Sequence, residues 1–273
     1  MGKRRLDTLL AERGLFPSRT RAAASVMAGE VRVGRGERRA AKPGELIDAE
    51  EVLVVDQRAL FVSRGGIKLA NALDACGLAV TGRRALDVGA STGGFTDCLL
   101  QRGAREVVAL DVGYGTLDYR LRTDPRVRVL ERTNARALEP AMLPAALTEP
   151  QGPPDLATID VSFISLEKVL GAVLGCLARP FDVLAMIKPQ FELGRGRVGK
   201  GGVVRDPGDR REALLAVGRR ALELGAGVLA YHSSGLPGPK GNLETFIWLC
   251  EPERPGALLE AGGLDTLARQ VEP

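Results

Sequence analysis

The stretch Asp87-Val88-Gly89-Ala90-Ser91-Thr92-Gly93-Gly94-Phe95 decides how this chain is read. It follows the approach Arg84-Ala85-Leu86 and opens into Thr96-Asp97-Cys98-Leu99-Leu100, which reads as a helix. An acidic residue at a strand end, a glycine-rich turn and then a helix is how a Rossmann-like sheet receives a nucleotide-like ligand. A second apolar run, Val107-Val108-Ala109-Leu110, closes on Asp111, where a carboxylate would meet the two hydroxyls of a ribose. The turn is not G-x-G-x-x-G, the pattern that lets backbone approach a pyrophosphate at a helix N-terminus. It is led by a carboxylate, which repels a pyrophosphate and suits a cation. An adenosine ligand carrying a sulfonium and an ammonium, S-adenosyl-L-methionine, is therefore the expected cofactor. On this reading Asp87, Gly89, Ser91, Gly93 and Gly94 surround its methionine part, and Asp111 meets its ribose. Asn134, in Thr133-Asn134-Ala135-Arg136, either reaches the adenine edge or caps a helix.

Outward from this turn the chain alternates apolar strand candidates with helical stretches. The strands are Leu156-Ala157-Thr158-Ile159, Val183 to Ile187, Gly227 to Ala230 and Thr245 to Leu249. Such alternation predicts an α/β fold, a Rossmann-like domain with a mostly parallel sheet and helices on both faces. The chain has 273 residues, room for one ample domain and a small one. No apolar run approaches the roughly 20 residues of a membrane helix. Polar and acidic residues follow Met1-Gly2-Lys3-Arg4-Arg5 where a signal peptide would have its apolar core. The four cysteines are scattered and there is a single histidine, so no metal site is expected. A cytoplasmic protein with no membrane partner is the resulting expectation, and a monomer is the default that no sequence feature tests.

Charge is distributed unevenly. Residues 1–42 hold eleven lysines and arginines against four acids, a net of +7 in a chain whose total is +4. A basic module on a mildly acidic body points to a polyanionic partner. Within it, Leu6, Leu9 and Leu10 recur at helical spacing up to Gly14, and Ser18 can cap a second helix over Arg19 to Ala28, ended by Gly29. Val31 to Val33 and Glu51 to Val55 read as short strands. The order Arg5-Leu6-Asp7-Thr8-Leu9-Leu10, Ser18-Arg19-Thr20-Arg21-Ala22-Ala23, Gly29-Glu30-Val31-Arg32-Val33, Lys42-Pro43-Gly44 closely resembles an S4 domain, a small α+β RNA-binding module. The expected division is an S4 domain over 1–56, a connector over 57–63 and a catalytic domain over 64–273.

Open parallel sheets carry their sites at the carboxyl ends of the strands. Those ends here are Asp87, Asp111, Asp160 and Lys188, each after an apolar run; Lys68 lies before the first core strand and Glu244 just ahead of a late one. Lys68, Asp160, Lys188 and Glu244 resemble the Lys-Asp-Lys-Glu tetrad of the FtsJ-like RNA 2′-O-methyltransferases. The stretches S-R-G-G-I-K-L, D-V-G-Y-G, T-N-A-R, D-V-S-F-I-S-L, I-K-P-Q-F-E and G-N-L-E-T-F extend the likeness to the TlyA (hemolysin A-like) family. That family joins an S4 domain to such a methyltransferase.

The resemblance implies a class I methyltransferase that modifies the 2′-hydroxyl of ribosomal RNA, generally at cytidine, with ribosomal RNA or ribosomal subunits as partner. It implies that Asp160 touches the cofactor as well as the tetrad. A ribose hydroxyl is a poor nucleophile until its proton leaves. Lys188 is the candidate to meet it, as base or as stabiliser of the developing alkoxide, with the two carboxylates orienting the lysines. Arg4, Arg5, Arg19, Arg21, Arg64, Arg195, Arg197 and Lys200 are the candidate RNA contacts. The last three belong to a glycine-rich basic loop, Gly194 to Gly202, expected to be mobile and to close over phosphates. Three rivals stand beside this reading: an RNA-binding or ribosome assembly factor without turnover, a membrane-active hemolysin, and a base methyltransferase. The intact tetrad speaks against the first. The second lacks a span or secretion signal, and no Pro-Cys dipeptide serves the cysteine route of the third.

Overall fold

The computed structural model describes residues 2–16, 18–27, 30–36, 38–55, 60–143, 152–199 and 201–272, and of Ala24 and Arg195 the backbone. Ala28, Gly29, Lys200, residues 57–59 of the expected connector and residues 144–151 of a proline-rich loop lie outside this description. The chain divides into two compact units, Met1–Leu60 and Phe61–Pro273.

In the first unit β1 (Lys3–Arg5) runs into α1 (Leu6–Glu12), followed by α2 (Arg19–Met27), β2 (Val31–Val33), β3 (Arg38–Arg39), β4 (Leu46–Asp48) and β5 (Leu53–Val55). The Arg21 N–H donates to Ser18 Oγ at 3.2 Å, which fixes the start of α2. Helical spacing puts Leu6, Leu9 and Leu10 on one face of α1 and Ala22 and Val26 on one face of α2. Val31 and Val33 of β2 and Ile47 of β4 close a small core against them. The strands form an antiparallel sheet β3-β2-β5 and a separate antiparallel pair β1-β4.

The second unit continues with α3 (Arg64–Cys76), β6 (Arg84–Val88), α4 (Gly94–Gln101), β7 (Glu106–Leu110), α5 (Tyr119–Arg122), β8 (Val127–Leu130), β9 (Leu156–Ile159) and α6 (Leu170–Leu174). After these come β10 (Asp182–Ile187), α7 (Pro189–Glu192), α8 (Pro207–Glu223), β11 (Gly227–Ser233), β12 (Thr245–Cys250) and α9 (Leu264–Arg269). Its strands make one sheet in the order β11-β12-β10-β9-β6-β7-β8. β8, β7, β6, β9 and β10 are parallel, and β12 runs antiparallel to both of its neighbours. The central strands are buried along their whole length because helices cover both faces, so they read as unbroken apolar runs. Alternation along β6 sends Leu86 and Val88 into the layer under α6 and α8, and Ala85 into the layer under α3 and α4. Asp87, two residues on from Ala85, faces this second layer too.

Phe61 and Val62, placed in the connector by sequence, pack into the second unit. Phe61 is buried against Gly66, and the Val62 N–H donates to Asp97 Oδ2 at 2.8 Å. The chain passes from β6 to β7 and β8 on one side, then returns to β9 on the other. That reversal leaves a crevice at the carboxyl ends of β6 and β9, where an open α/β sheet takes its ligand.

Candidate active site

Three strand exits, the start of a fourth strand and one helix converge on this crevice. β6 ends at Val88 beside Ile159 of β9, so Gly89 and Asp160 leave the sheet side by side. β10 and β12 are antiparallel, with Ile187 opposite Thr245; the end of one and the start of the other therefore share an edge. This puts Lys188 next to Glu244 although 56 residues separate them along the chain. α3 brings Lys68 to the same place because its first turns lie hard against the start of α4. A Cβ on Gly94 would stand 2.2 Å from Ser63 Oγ and 2.9 Å from the Gly66 nitrogen. Only glycine permits that approach, which gives the S-R-G-G and G-G-F stretches a shared packing role.

The result is a cavity of about 820 Å³ lined by all four tetrad residues and by Gly89, Ser91 and Gly94 of the glycine turn. The tetrad forms two ion pairs. Lys68 Nζ is bonded to Glu244 Oε2, both side chains being buried. Lys188 Nζ lies 2.6 Å from Asp160 Oδ1 and donates to Ser162 Oγ at 2.8 Å. An ammonium has three N–H donors, so at least one is left for a ligand oxygen. Below the pairs, Glu192 braces the loop that carries Asp160 and Ser162. It accepts from Ser165 Oγ at 2.6 Å and from the Leu166 N–H at 3.0 Å, and burial raises its pKa.

Two regions of the chain match known family descriptions: residues 61–250 an FtsJ-like methyltransferase and residues 4–53 an S4 domain. A Mycobacterium tuberculosis protein named 16S/23S rRNA (cytidine-2′-O)-methyltransferase TlyA is 51% identical over 247 residues, covering 90% of this chain and 89% of its own. The chain belongs to the TlyA family of FtsJ-like methyltransferases. Brachyspira hyodysenteriae Hemolysin A is 38% identical over 88% of this chain and 97% of its own. A solved Streptococcus thermophilus chain, provisionally called a hemolysin, superposes with a TM-score of 0.71 at 40% identity, covering 99% of this chain and 96% of that one.

Several residues expected around the cofactor do not reach the cavity wall of this TlyA-family chain. Asp87 is fully buried behind the glycine turn, accepting from Thr96 Oγ1 at 2.6 Å and Thr158 Oγ1 at 3.2 Å. Burial, with Asp160 nearby, raises its pKa to about 7. Asp111 accepts from the Ser91 N–H and the Gly113 N–H, each at 2.7 Å, and so pins the glycine turn to the end of β7. Asn134 accepts from the Arg136 N–H at 3.1 Å and caps a short 3₁₀ turn, the second of its two readings. A Cβ on Gly93 would stand 2.2 Å from Leu121 and 2.8 Å from Leu117.

Of the candidate RNA cations, Arg64 lines the cavity, its Nη2 donating to the Pro237 carbonyl at 2.8 Å. Arg4 pairs with Glu12, Arg5 and Arg19 both bind Asp7, and Arg21 is exposed. In the basic loop Arg197 pairs with Asp209 at 3.3 Å. Asn242 ties down the loop's far end, donating from Nδ2 to the Gly202 carbonyl at 2.8 Å and accepting from the Val204 N–H at 2.9 Å. Lys200 and the Arg195 side chain lie outside the described residues.

Sequence reasoning passed over Ser162, Phe163, Gln190, Phe191 and Lys240, all on the cavity wall. Phe163 is 91% exposed at φ +66°, a strained backbone for a bulky side chain, and its ring centroid is 5.4 Å from that of Phe191. Among the described residues Gln190 Oε1, which is buried, has no hydrogen-bond partner. The signal was available: each but Lys240 lies within D-V-S-F-I-S or I-K-P-Q-F-E, two or three residues from a tetrad member.

Gly89 gives a direct test of the geometry. It sits at φ +87°, and a Cβ there would be 2.6 Å from the Asp160 carbonyl oxygen. Gly89→Ala is expected to cost about 2–3 kcal/mol, from the left-handed backbone and the clash together. The glycine turn and Asp160 would be pushed apart, so ligand affinity falls along with the melting temperature. Calorimetry on wild type and variant checks this; an unchanged melting point would show that the turn relaxes freely.

Proposed function

We propose that this chain is an S-adenosyl-L-methionine-dependent 2′-O-methyltransferase of ribosomal RNA, with cytidine as its target and the S4 unit as an RNA-docking module. The observation that carries the reading is the convergence of two lysine–carboxylate pairs beside the glycine turn in one large crevice. The crevice fits the cofactor: about 820 Å³ is ample for a nucleoside-sized ligand, and Gln190 Oε1, without a partner among the described residues, offers an acceptor for its N–H groups. Gly89, Ser91 and Gly94 with Asp160 are the residues that would hold it. When bound, S-adenosyl-L-methionine supplies an electrophilic methyl group.

The chain's own residues then have a defined task. A remaining N–H of Lys188 holds the 2′-oxygen and meets the negative charge that grows on it as its proton passes to solvent. The oxygen takes the methyl group, whose bond to sulfur breaks to leave a neutral thioether. Asp160 and Ser162 fix the Lys188 ammonium in direction. Glu244 fixes Lys68, whose second positive charge in a buried wall adds to the field. A nucleotide of folded RNA reaches such a recessed site only when unstacked, and the exposed Phe163 ring at the mouth offers a face for the displaced base. Among the described residues no helix is long and apolar enough to cross a membrane.

The experiment is methyl transfer from labelled S-adenosyl-L-methionine to purified ribosomal subunits, with modified nucleotides mapped by mass spectrometry. A new 2′-O-methylcytidine is the expected product. Cofactor binding without transfer to either subunit would point instead to an RNA-binding factor.

A further inference from the structure

Asp7 is an anomaly in the first unit. It is an acid in a strongly basic segment, it belongs to the first turn of α1, and it is 3% exposed. A buried carboxylate is costly unless it is paired and hydrogen-bonded. Here it is over-provided. Arg5 grips it with two parallel bonds, Nε to Oδ1 at 3.1 Å and Nη2 to Oδ2 at 2.9 Å. Arg19, the first residue of α2, adds Nε to Oδ2 at 3.1 Å, and the Thr8 N–H adds a bond to Oδ1 at 2.9 Å. The Arg5 bonds, with Arg19 beside them, hold the Asp7 carboxyl well below the usual carboxylate range, so it stays charged.

One arginine would neutralise this carboxylate; two leave a net positive charge. Arg5 is spent on Asp7 along one edge and Arg19 through Nε alone, and their side chains are 46% and 59% exposed. Among the described residues neither Arg5 Nη1 nor the Arg19 Nη atoms have a hydrogen-bond partner. Gly44 keeps the space beside Arg5 open, since a Cβ there would lie 3.0 Å from Arg5 Nη1. A guanidinium fixed along one edge presents the other as a planar fork, the geometry that recognises phosphate.

We propose that Asp7 is a positioning residue for RNA, holding Arg5 and Arg19 as two pre-oriented forks for backbone phosphates. This rests on the reading of the S4 unit as RNA-binding. It carries a result opposite in sign to simple electrostatics: removing this negative charge weakens binding to a polyanion, because both arginines must then be ordered when RNA arrives.

The test uses the full chain and a ribosomal RNA fragment that the wild type binds, with affinity measured across a salt series. Asp7→Asn is expected to bind about tenfold more weakly, the cost of immobilising two long side chains on binding. Its salt slope becomes shallower by about one for each phosphate that the arginines no longer engage. In turnover the change falls on KM for RNA rather than on kcat. Glu50→Gln removes the same charge from an exposed position of the same unit and should bind as well as wild type or slightly better. Asp7→Asn behaving like Glu50→Gln would overturn the inference. Circular dichroism reports folding. If Asp7→Asn is unfolded, Arg19→Lys decides, because it keeps the charge and loses the fork: weaker binding supports the proposal and unchanged binding overturns it. A wild type that binds no ribosomal RNA removes the RNA reading and this inference together, whereas tight wild-type binding with an indifferent Asp7→Asn removes the inference alone.

Discussion

Lys188→Ala is expected to lose methyl transfer by about 10³-fold or more while still binding cofactor and RNA, the scale seen when a positioned base or charge-stabilising donor is removed. Lys188 is the cleaner of the two lysines for this test. Its partner Asp160 has a quarter of its side-chain surface open to water, so it can be solvated once the ammonium is gone. The stability penalty stays at about 1–2 kcal/mol, below that of a fully buried broken pair. Lys68→Ala differs, because it strands Glu244, whose side chain is 2% exposed, and costs about 3 kcal/mol or more. A loss of turnover there mixes chemistry with unfolding. Single-turnover rates with saturating RNA, beside a melting curve, separate the two cases. Full activity in Lys188→Ala would remove this lysine from the mechanism.

The tetrad is legible in sequence for a physical reason. A parallel sheet buries its strands on both faces, so each strand is an apolar run, and the first polar residue beyond it stands at the sheet's carboxyl edge. Asp160 and Lys188 are such residues. That rule gives the edge and not the neighbour. Nothing in the one-dimensional pattern shows that β12 enters the sheet reversed between β10 and β11, yet this reversal is what brings Glu244 to Lys188. Side-chain direction is the other blind spot. Asp87 reads as a strand-end carboxylate aimed at a ligand, but it is the fourth residue of β6 and points to the same face as Ala85, into α4. The exposure of Phe163 is equally hidden, since an aromatic beside an apolar run looks like core. In the S4 unit, Arg5 and Arg19 read as free cations, and only the fold shows the buried acid that joins them.

The buried Asp87 should make both stability and cofactor affinity depend on pH. Its pKa rises from an ordinary 3.8 to about 7 because burial opposes the charged form. Between roughly pH 4 and pH 7 the unfolded chain has lost this proton and the folded chain keeps it. Stability therefore falls as pH rises across that window and stays lowered above it, by about 4 kcal/mol at 1.36 kcal/mol per pH unit. Glu192, whose pKa is also raised by burial, acts in the same direction. His232, lowered by burial, acts in the opposite direction, since the fold favours its neutral form. Asp87→Asn isolates the effect: it should match wild type near pH 4 and exceed it in denaturant resistance at pH 8. A cationic ligand on the other side of the glycine turn favours the ionised carboxyl. Affinity for S-adenosyl-L-methionine should accordingly strengthen as pH rises towards 7, level off above it, and lose this dependence in Asp87→Asn. Calorimetry in two buffers of different ionisation enthalpy would detect the released proton at pH 6. If no proton is released and the two proteins unfold alike at pH 8, Asp87 is already ionised in the free protein and its hydroxyl partners suffice to hold the charge.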